Sequence, residues 1–201
     1  MQSSVTFDDK NSVTPLDYFA FEEAGKVYWF DVRSILQNSI DKIRPMNPYT
    51  REPLSIDTRQ RLRKIAILRD ARKLKNLHDE NRGTAEDVLR VTWTSVCQII
   101  EENGFPDMSP MFFVSLNRTQ LYIFAQLMQA DVIAWASEHT TPNSRRKRYI
   151  PWIRRIIAEY HSGTHTPLLS YITARFLLTM LNDYPEPYDL CFIIMSALHR
   201  V

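Results

Sequence analysis

The chain has 201 residues, a formal net charge of +2 at pH 7 and only two cysteines. This length allows one domain, or a small module beside a larger one, with a substantial buried core. The nearly balanced charge excludes a polyelectrolyte that binds acidic partners over its whole surface. Two cysteines exclude a disulfide framework. Cys97 and Cys191 each lie among apolar residues, which predicts two small buried thiols.

The sequence shows no targeting signal and no membrane-spanning run. Residues 1–14 are polar and lack the basic start and apolar stretch of a secretory signal, so we expect a flexible leader. The longest apolar runs are far shorter than the roughly 20 residues that a membrane-spanning helix needs. We therefore expect an intracellular protein that is not secreted.

Residues 15–56 predict a small β-hairpin that leads into a helix. Tyr18–Phe21 and Lys26–Phe30 are aromatic, strand-like runs, and Gly25 in the turn between them fits a position of positive φ. Asp31 is a suitable N-cap for the helix that follows, and Phe30 is placed to pack on Ile35 as a hydrophobic staple.

A turn-rich loop is predicted to follow this helix. The apolar stripe of the helix continues to Ile43, and Pro45 is expected to end it. The residues Asn47-Pro48-Tyr49-Thr50 are typical of a β-turn, because proline presets φ at the second turn position and Asn favours the first.

Residues 57–201 predict an α-helical domain, so the expected fold is mainly α. Its first helix is basic, begins near Asp57 with Gln60 at capping-box spacing, and runs to about His78. Met111–Leu116 fits either a strand or a helix. The expected divisions are a leader over 1–14, the hairpin module over 15–56 and the helical domain over 57–201. The basic helix could belong to either of the last two.

Motifs for catalysis, metals and cofactors are missing from the sequence. With only four glycines, the chain has no glycine-rich loop to hold a phosphate. Neither cysteine lies in a nucleophile motif. His161 and His165 are four residues apart, but Gly163 separates them and no glutamate lies between, unlike a hydrolytic zinc helix. We expect no catalytic residue, no metal site and no cofactor, which favours a non-enzymatic protein.

Two basic stretches are candidate nucleic-acid contacts. One is the predicted basic helix, and the other surrounds Tyr149 and Trp152, whose rings are suited to stack on bases while the cations neutralise phosphates. A solvated face, or a docking face for an acidic protein partner, would explain the same charges. The cations of the second stretch are Arg145, Arg146, Lys147, Arg148, Arg154 and Arg155.

One predicted helix is apolar around much of its circumference. It covers residues 168–181, LLSYITARFLLTML. Such a pattern is typical of a central buried helix or of a helix at a homo-oligomer interface.

The order of elements in residues 15–65 resembles the U-box, a module of ubiquitin ligases. Gly25–Tyr28 matches its Gly-x-x-Tyr strand, a helix follows, and Asn47–Leu54 matches its loop of the form Ser/Asn-Pro-x-Thr-x-x-x-Leu. Val13–Leu16 stands where a U-box has an apolar first loop. The resemblance implies that Pro48 lies in the second of two loops that contact a ubiquitin-conjugating enzyme.

A second resemblance covers more of the module and is to proteins of large nucleocytoplasmic DNA viruses. It is carried by Val27–Ile35 (VYWFDVRSI), by Asn47–Leu54 (NPYTREPL) and by the basic helix that follows. The resemblance implies a protein made in infected cells, located in the host cytoplasm, in a virus factory or in the virion.

The leading hypothesis is a non-enzymatic interaction or structural protein of a large DNA virus, whose partners include other virion proteins. The alternatives are a U-box-like ubiquitin ligase and a nucleic-acid-binding accessory protein. In a purely structural explanation of the loop, its tyrosine folds back onto the hairpin and its arginine pairs with an acidic neighbour. The expected partner-binding residues are Asn47, Pro48, Tyr49, Thr50 and Arg51.

Overall fold

A computed structural model describes residues 14–39, 42–74, 84–137, 149–184 and 186–201. Within these ranges the protein has one two-stranded hairpin followed by eight helices, which confirms the mainly α fold. The elements are β1 (Tyr18–Glu23), β2 (Lys26–Asp31), α1 (Val32–Ser39), α2 (Ile56–Ala71), α3 (Ala85–Glu102), α4 (Met111–Val114), α5 (Arg118–Ser137), α6 (Ile150–His161), α7 (Thr166–Asp183) and α8 (Tyr188–His199). Among the described helices, none has the length and hydropathy needed to cross a membrane.

The chain forms two compact units, Met1–Arg82 and Gly83–Val201. Helix α2 belongs to the first unit, which decides an alternative that the sequence left open. Helix α2 packs in the first unit because its Leu62 joins the apolar cluster under the hairpin. The members of this cluster are Phe19, Phe21, Phe30, Val32, Ile35, Leu54 and Leu62.

The hairpin has the predicted strands and a two-residue turn. Glu23 pairs with Lys26, so Ala24 and Gly25 form the turn, with φ of 50° and 73°. Positive φ at both positions is the mirror-image turn that matches the twist of the strands. Phe19 and Phe21 lie two residues apart on β1 and are both buried, because alternate residues of a strand share one face.

Helix α1 begins as predicted but ends early. The carboxylate of Asp31 accepts the backbone N–H of Arg33 at 2.8 Å, and Phe30 and Ile35 are fully buried together, so both the N-cap and the staple are confirmed. The helix ends at Ser39, and Ile43 lies outside it. The predicted extension to Ile43 was wrong, since Ile43 lies in a bend close to Pro45, and the residue directly before a proline avoids the α conformation.

Helix α2 also differs from its prediction at both ends. Its N-cap is Ser55, whose hydroxyl accepts the N–H of Thr58 at 3.3 Å, so the capping box predicted from Asp57 was wrong. The helix stops at Ala71 rather than near residue 78. Lys73 adopts φ 54°, and the N–H of Leu74 donates to the carbonyl of Arg69 at 3.0 Å. This is a Schellman end, which the sequence did not reveal because the left-handed residue is not glycine.

The second unit contains α3 to α8, and the ends of several of these helices are closed by local hydrogen bonds or by a residue of positive φ. Thr84 and Asp87 form a reciprocal capping box at the start of α3. Asn117 and Gln120 exchange the same pair of bonds at the start of α5. Gly163 follows α6 with φ 84°. Met111–Val114 is a short helix, which decides the other open alternative.

The apolar helix α7 lies among its neighbours in this unit. It packs on α3, α5 and α6. Trp93 of α3 is fully buried and donates its indole N–H to the hydroxyl of Ser170 at 3.0 Å. Cys97 and Cys191 are also buried thiols, as predicted. The central position accounts for the apolar circumference of α7.

Candidate functional site

The loop singled out by the sequence is closed by its own backbone. The N–H of Asn47 donates to the carbonyl of Glu52 at 2.9 Å, and the N–H of Leu54 donates to the carbonyl of Pro45 at 2.8 Å. Within this frame the N–H of Arg51 donates to the carbonyl of Asn47 at 2.8 Å. The turn therefore closes from Asn47 to Arg51, one residue further along than the expected β-turn.

Two side chains of the loop are fixed to the tip of the hairpin. Asn47 is fully buried, and its Nδ2 donates to one carboxylate oxygen of Glu23 at 2.9 Å. Thr50 donates its hydroxyl to the other oxygen of Glu23 at 2.6 Å. The amide oxygen of Asn47 also accepts the N–H of Tyr49 at 3.0 Å. Each polar group of the Asn47 side chain therefore has a partner, as buried amides require.

The exposed residues of the loop include Tyr49 and Arg51, with Thr50 and Glu52 beside them. Tyr49 is 51% exposed, although one side of its ring contacts Tyr28 and Phe30 at centroid distances of 5.7 and 5.6 Å. Arg51 is exposed, and among the described residues it makes no ion pair, so the acidic partner of the purely structural explanation is not found. Pro48 is half-buried. The loop thus presents a packed aromatic ring, an accessible cation and a proline on a rigid frame.

Arg51 also has an unusual backbone conformation. Its φ of 59° lies in the left-handed region, where a side chain is disfavoured by roughly 1 kcal/mol or more. Asparagine or glycine would fit this position with less strain. The hydrogen bonds of the surrounding loop hold the arginine there.

The sequence did not identify Glu23 as part of the site. Strand alternation shows only which way Glu23 points. Glu23 precedes the Ala24-Gly25 turn and lies on the same strand face as Phe19 and Phe21, which is the covered face. The covering segment lies 24 residues further along the chain. Local spacing cannot show such a contact.

The arginines of α2 serve mainly to hold the first unit together. Arg61 donates to the carbonyl of Ala20 at 3.0 Å and lies over the ring of Phe19. Arg69 is 2% exposed and forms an ion pair with Asp17. These cations are therefore committed to contacts within the unit and are not available as a continuous phosphate-binding face.

The second basic stretch is described only in part. The expected nucleic-acid contacts Arg145–Arg148 lie outside the described residues. Arg154 and Arg155 are exposed on α6. Trp152 on the same helix is 51% exposed, and its other side contacts Phe176 at 5.6 Å. Arg155 is three residues from Trp152 and shares its side of the helix.

Groups suited to catalysis or metal binding are few in the described ranges. No cluster of three or more His, Cys, Asp or Glu residues there is placed to hold a metal ion. Burial raises the pKa of the Cys97 thiol to about 12. A thiol with this pKa carries almost no thiolate at neutral pH and is a poor nucleophile.

Comparison of the chain with protein families, with curated proteins and with solved structures found no match.

Proposed function

We propose that this chain is a non-enzymatic protein-interaction or structural protein, and that the loop from Asn47 to Glu52 contacts its partner. The supporting observation is that some side chains of the loop are anchored to the hairpin while others are accessible. Asn47 and Thr50 are held by Glu23, whereas Tyr49 and Arg51 are directed outward. A loop that is ordered before binding loses little conformational entropy when a partner docks.

The residue types at the loop surface suit protein recognition. Tyrosine and arginine are the side chains that most often contribute large shares of binding energy in protein interfaces. Tyr49 is supported from behind by two aromatic rings and so offers a rigid apolar surface. Arg51 adds a cation whose guanidinium can form paired hydrogen bonds with a carboxylate.

The resemblance to proteins of large DNA viruses supports a setting for this interaction. We place the protein in the infected cell, as a component of the virion or of the virus factory. Quantitative mass spectrometry of purified virions against infected-cell lysate tests this setting. Enrichment in virions supports a particle component, and depletion to the level of cytosolic contaminants excludes it.

The replacement Arg51→Gly tests the loop itself. We expect it to stabilise the first unit by about 1 kcal/mol, because glycine tolerates the left-handed conformation, and to abolish co-purification of partners from infected cells. Lys73→Gly is the matched control: it also removes a cation from a left-handed position in the same unit. The control should gain similar stability and keep its partners. Retention of all partners by Arg51→Gly would refute the interaction role of the loop.

A ubiquitin-ligase activity is the second candidate, favoured by one observation. The strand, the helix and the closed loop follow each other in the order of the U-box, and Pro48 is partly accessible in the loop. An autoubiquitination assay with a panel of ubiquitin-conjugating enzymes tests it. Conjugates that disappear with Pro48→Ala would support this function. The absence of conjugates with every enzyme would exclude it.

A nucleic-acid-binding role is the third candidate, favoured by the exposed Arg155 beside the half-exposed ring of Trp152. Such binding should weaken steeply with added salt, because cations displace counterions from phosphates. Affinity for single-stranded DNA or RNA should fall further with Arg155→Gln and Trp152→Ala. An affinity that is indifferent to salt and to both replacements would remove this candidate.

A further inference from the structure

The outward side of α2 combines apolar and cationic side chains. Ile67 and Leu68 are 45% and 50% exposed. Lys64 and Arg72 are both exposed, and each lies four residues from Leu68, so the three side chains form one row on the helix surface. Neither Lys64 nor Arg72 has an ion pair with another described residue.

This face is continuous with a cleft in the same unit. The cleft has a volume of about 500 Å³, and Arg72 belongs to both the face and the cleft wall. The wall is formed by Thr14, Pro15, Leu16, Asp17, Arg33, Arg69, Arg72 and Leu74. It therefore combines three arginines with one aspartate and with several apolar side chains.

Two of the arginines in the cleft wall are held in place. Arg69 pairs with Asp17, and its Nη1 also donates to the carbonyl of Leu16 at 3.3 Å. Arg33 donates its Nε to both carboxylate oxygens of Asp31 at 3.0 Å. The carboxylates of Asp17 and Asp31 largely balance these two charges. The positive charge of the accessible cleft surface therefore comes from Arg72. The surface that a ligand would meet is cationic and apolar at once.

We infer that the α2 face and its cleft form a docking site for an acidic, amphipathic segment of a protein partner. Leucine-like side chains of such a segment would cover Ile67 and Leu68, and its carboxylates would meet Lys64 and Arg72. The cleft has room for one further side chain or for a terminal carboxylate. Charge complementarity selects the acidic partner, because the two accessible cations flank the apolar pair on either side.

A nucleic acid fits this surface less well. Its phosphates would meet two apolar side chains between the cations, and half-exposed aromatic rings for stacking are missing from the exposed side of α2. A membrane surface also fits less well, because interfacial helices present a wider apolar face with large side chains. The proposed site is distinct from the Asn47–Glu52 loop, so it goes beyond the function proposed above.

Fluorescence polarisation with a labelled synthetic helix of Glu, Leu and Ala in an amphipathic pattern tests the inference on the full chain. We expect saturable binding that weakens with salt. The double reversal Lys64→Glu with Arg72→Glu should weaken it by at least about tenfold. The matched control, Arg154→Glu with Arg155→Glu, makes the same change of charge on exposed residues of α6 and should leave binding unchanged.

The apolar half of the site has its own control pair. Leu68→Ser should weaken binding, whereas Val27→Ser, at a 66% exposed position on the hairpin, should not. A probe with Lys in place of Glu should bind poorly, and so should a probe with Ser in place of Leu. Circular dichroism shows that each variant is folded.

Several results would overturn the inference. These are no binding of the acidic probe, equal loss in the two charge-reversed variants, or equal binding of the Lys probe. Binding to anionic lipid vesicles without binding to the acidic probe would assign the face to a membrane surface instead.

Discussion

The contact between Glu23 and Asn47 gives the sharpest prediction about the first unit. Replacement of Asn47 by alanine removes a hydrogen bond to a carboxylate at 2.9 Å and one from the N–H of Tyr49 at 3.0 Å. Because Asn47 is fully buried, water cannot replace these partners freely. With about 1.5–3 kcal/mol for a hydrogen bond to a charged group and about 1 kcal/mol for a neutral one, we expect a loss of about 2.5–4 kcal/mol.

A double-mutant cycle isolates the part of this loss that belongs to the pair. Glu23→Ala is less costly than Asn47→Ala, because Glu23 is partly exposed, and we expect about 1–2 kcal/mol. The double variant should lose less than the sum, with a coupling of about 1 kcal/mol. Glu22→Ala is the matched control, since this neighbouring acid has the same charge but lies on the opposite strand face. It should cost less than about 0.5 kcal/mol.

Native-state hydrogen exchange is the appropriate measurement. It reports the free energy of opening for the buried hairpin amides alone, so unfolding of the second unit does not enter the result. Additive losses in the double variant would show that Glu23 and Asn47 do not interact. A cost of Glu23→Ala no larger than that of Glu22→Ala would show that the hairpin tip does not hold the loop.

Three further predictions concern helix ends and the buried thiols. Lys73→Gly should stabilise α2 by about 1 kcal/mol in hydrogen exchange, whereas Gly104→Ala, at the end of α3 with φ 93°, should destabilise by about as much. Hydrogen bonds from Thr84 hold the pKa of Asp87 below its ordinary value of 3.8, so this cap is complete above that value and is lost as the pH falls through the lower folded pKa. An NMR titration of Asp87 should show the depressed pKa, and Thr84→Ala should raise it. Cys97, whose pKa burial raises to about 12, should resist a thiol reagent at pH 8 until urea unfolds the chain.

Features decided by neighbours in the sequence could be predicted. The cap at Asp31, the staple from Phe30 to Ile35 and the mirror-image hairpin turn each depend on residues within five positions of one another. The reciprocal cap from Thr84 to Asp87 also joins residues only three positions apart. These features form from hydrogen bonds and backbone preferences of neighbouring residues, so they do not depend on contacts with distant parts of the chain.

Features decided by distant residues could not be predicted. The bonds from Asn47 to Glu23 and from Arg69 to Asp17 join residues 24 and 52 positions apart. The basic composition of α2 does not show which of its cations has a buried partner. The structure uses Arg69 to fix the start of the hairpin, because a buried guanidinium requires a carboxylate and a carbonyl as partners.

The conformation of Arg51 separates the two explanations of the loop. Arginine at φ 59° is less stable than glycine would be, and no ion pair with a described residue compensates for this. Lys73 has the same strain at the end of α2, so the feature that distinguishes Arg51 is its accessible cation beside Tyr49 rather than the strain itself. Consequently, Arg51→Gly should raise stability and lower partner binding, while Asn47→Ala should lower both. If Arg51→Gly leaves partner binding unchanged or increases it, whatever its effect on stability, the loop serves the fold only.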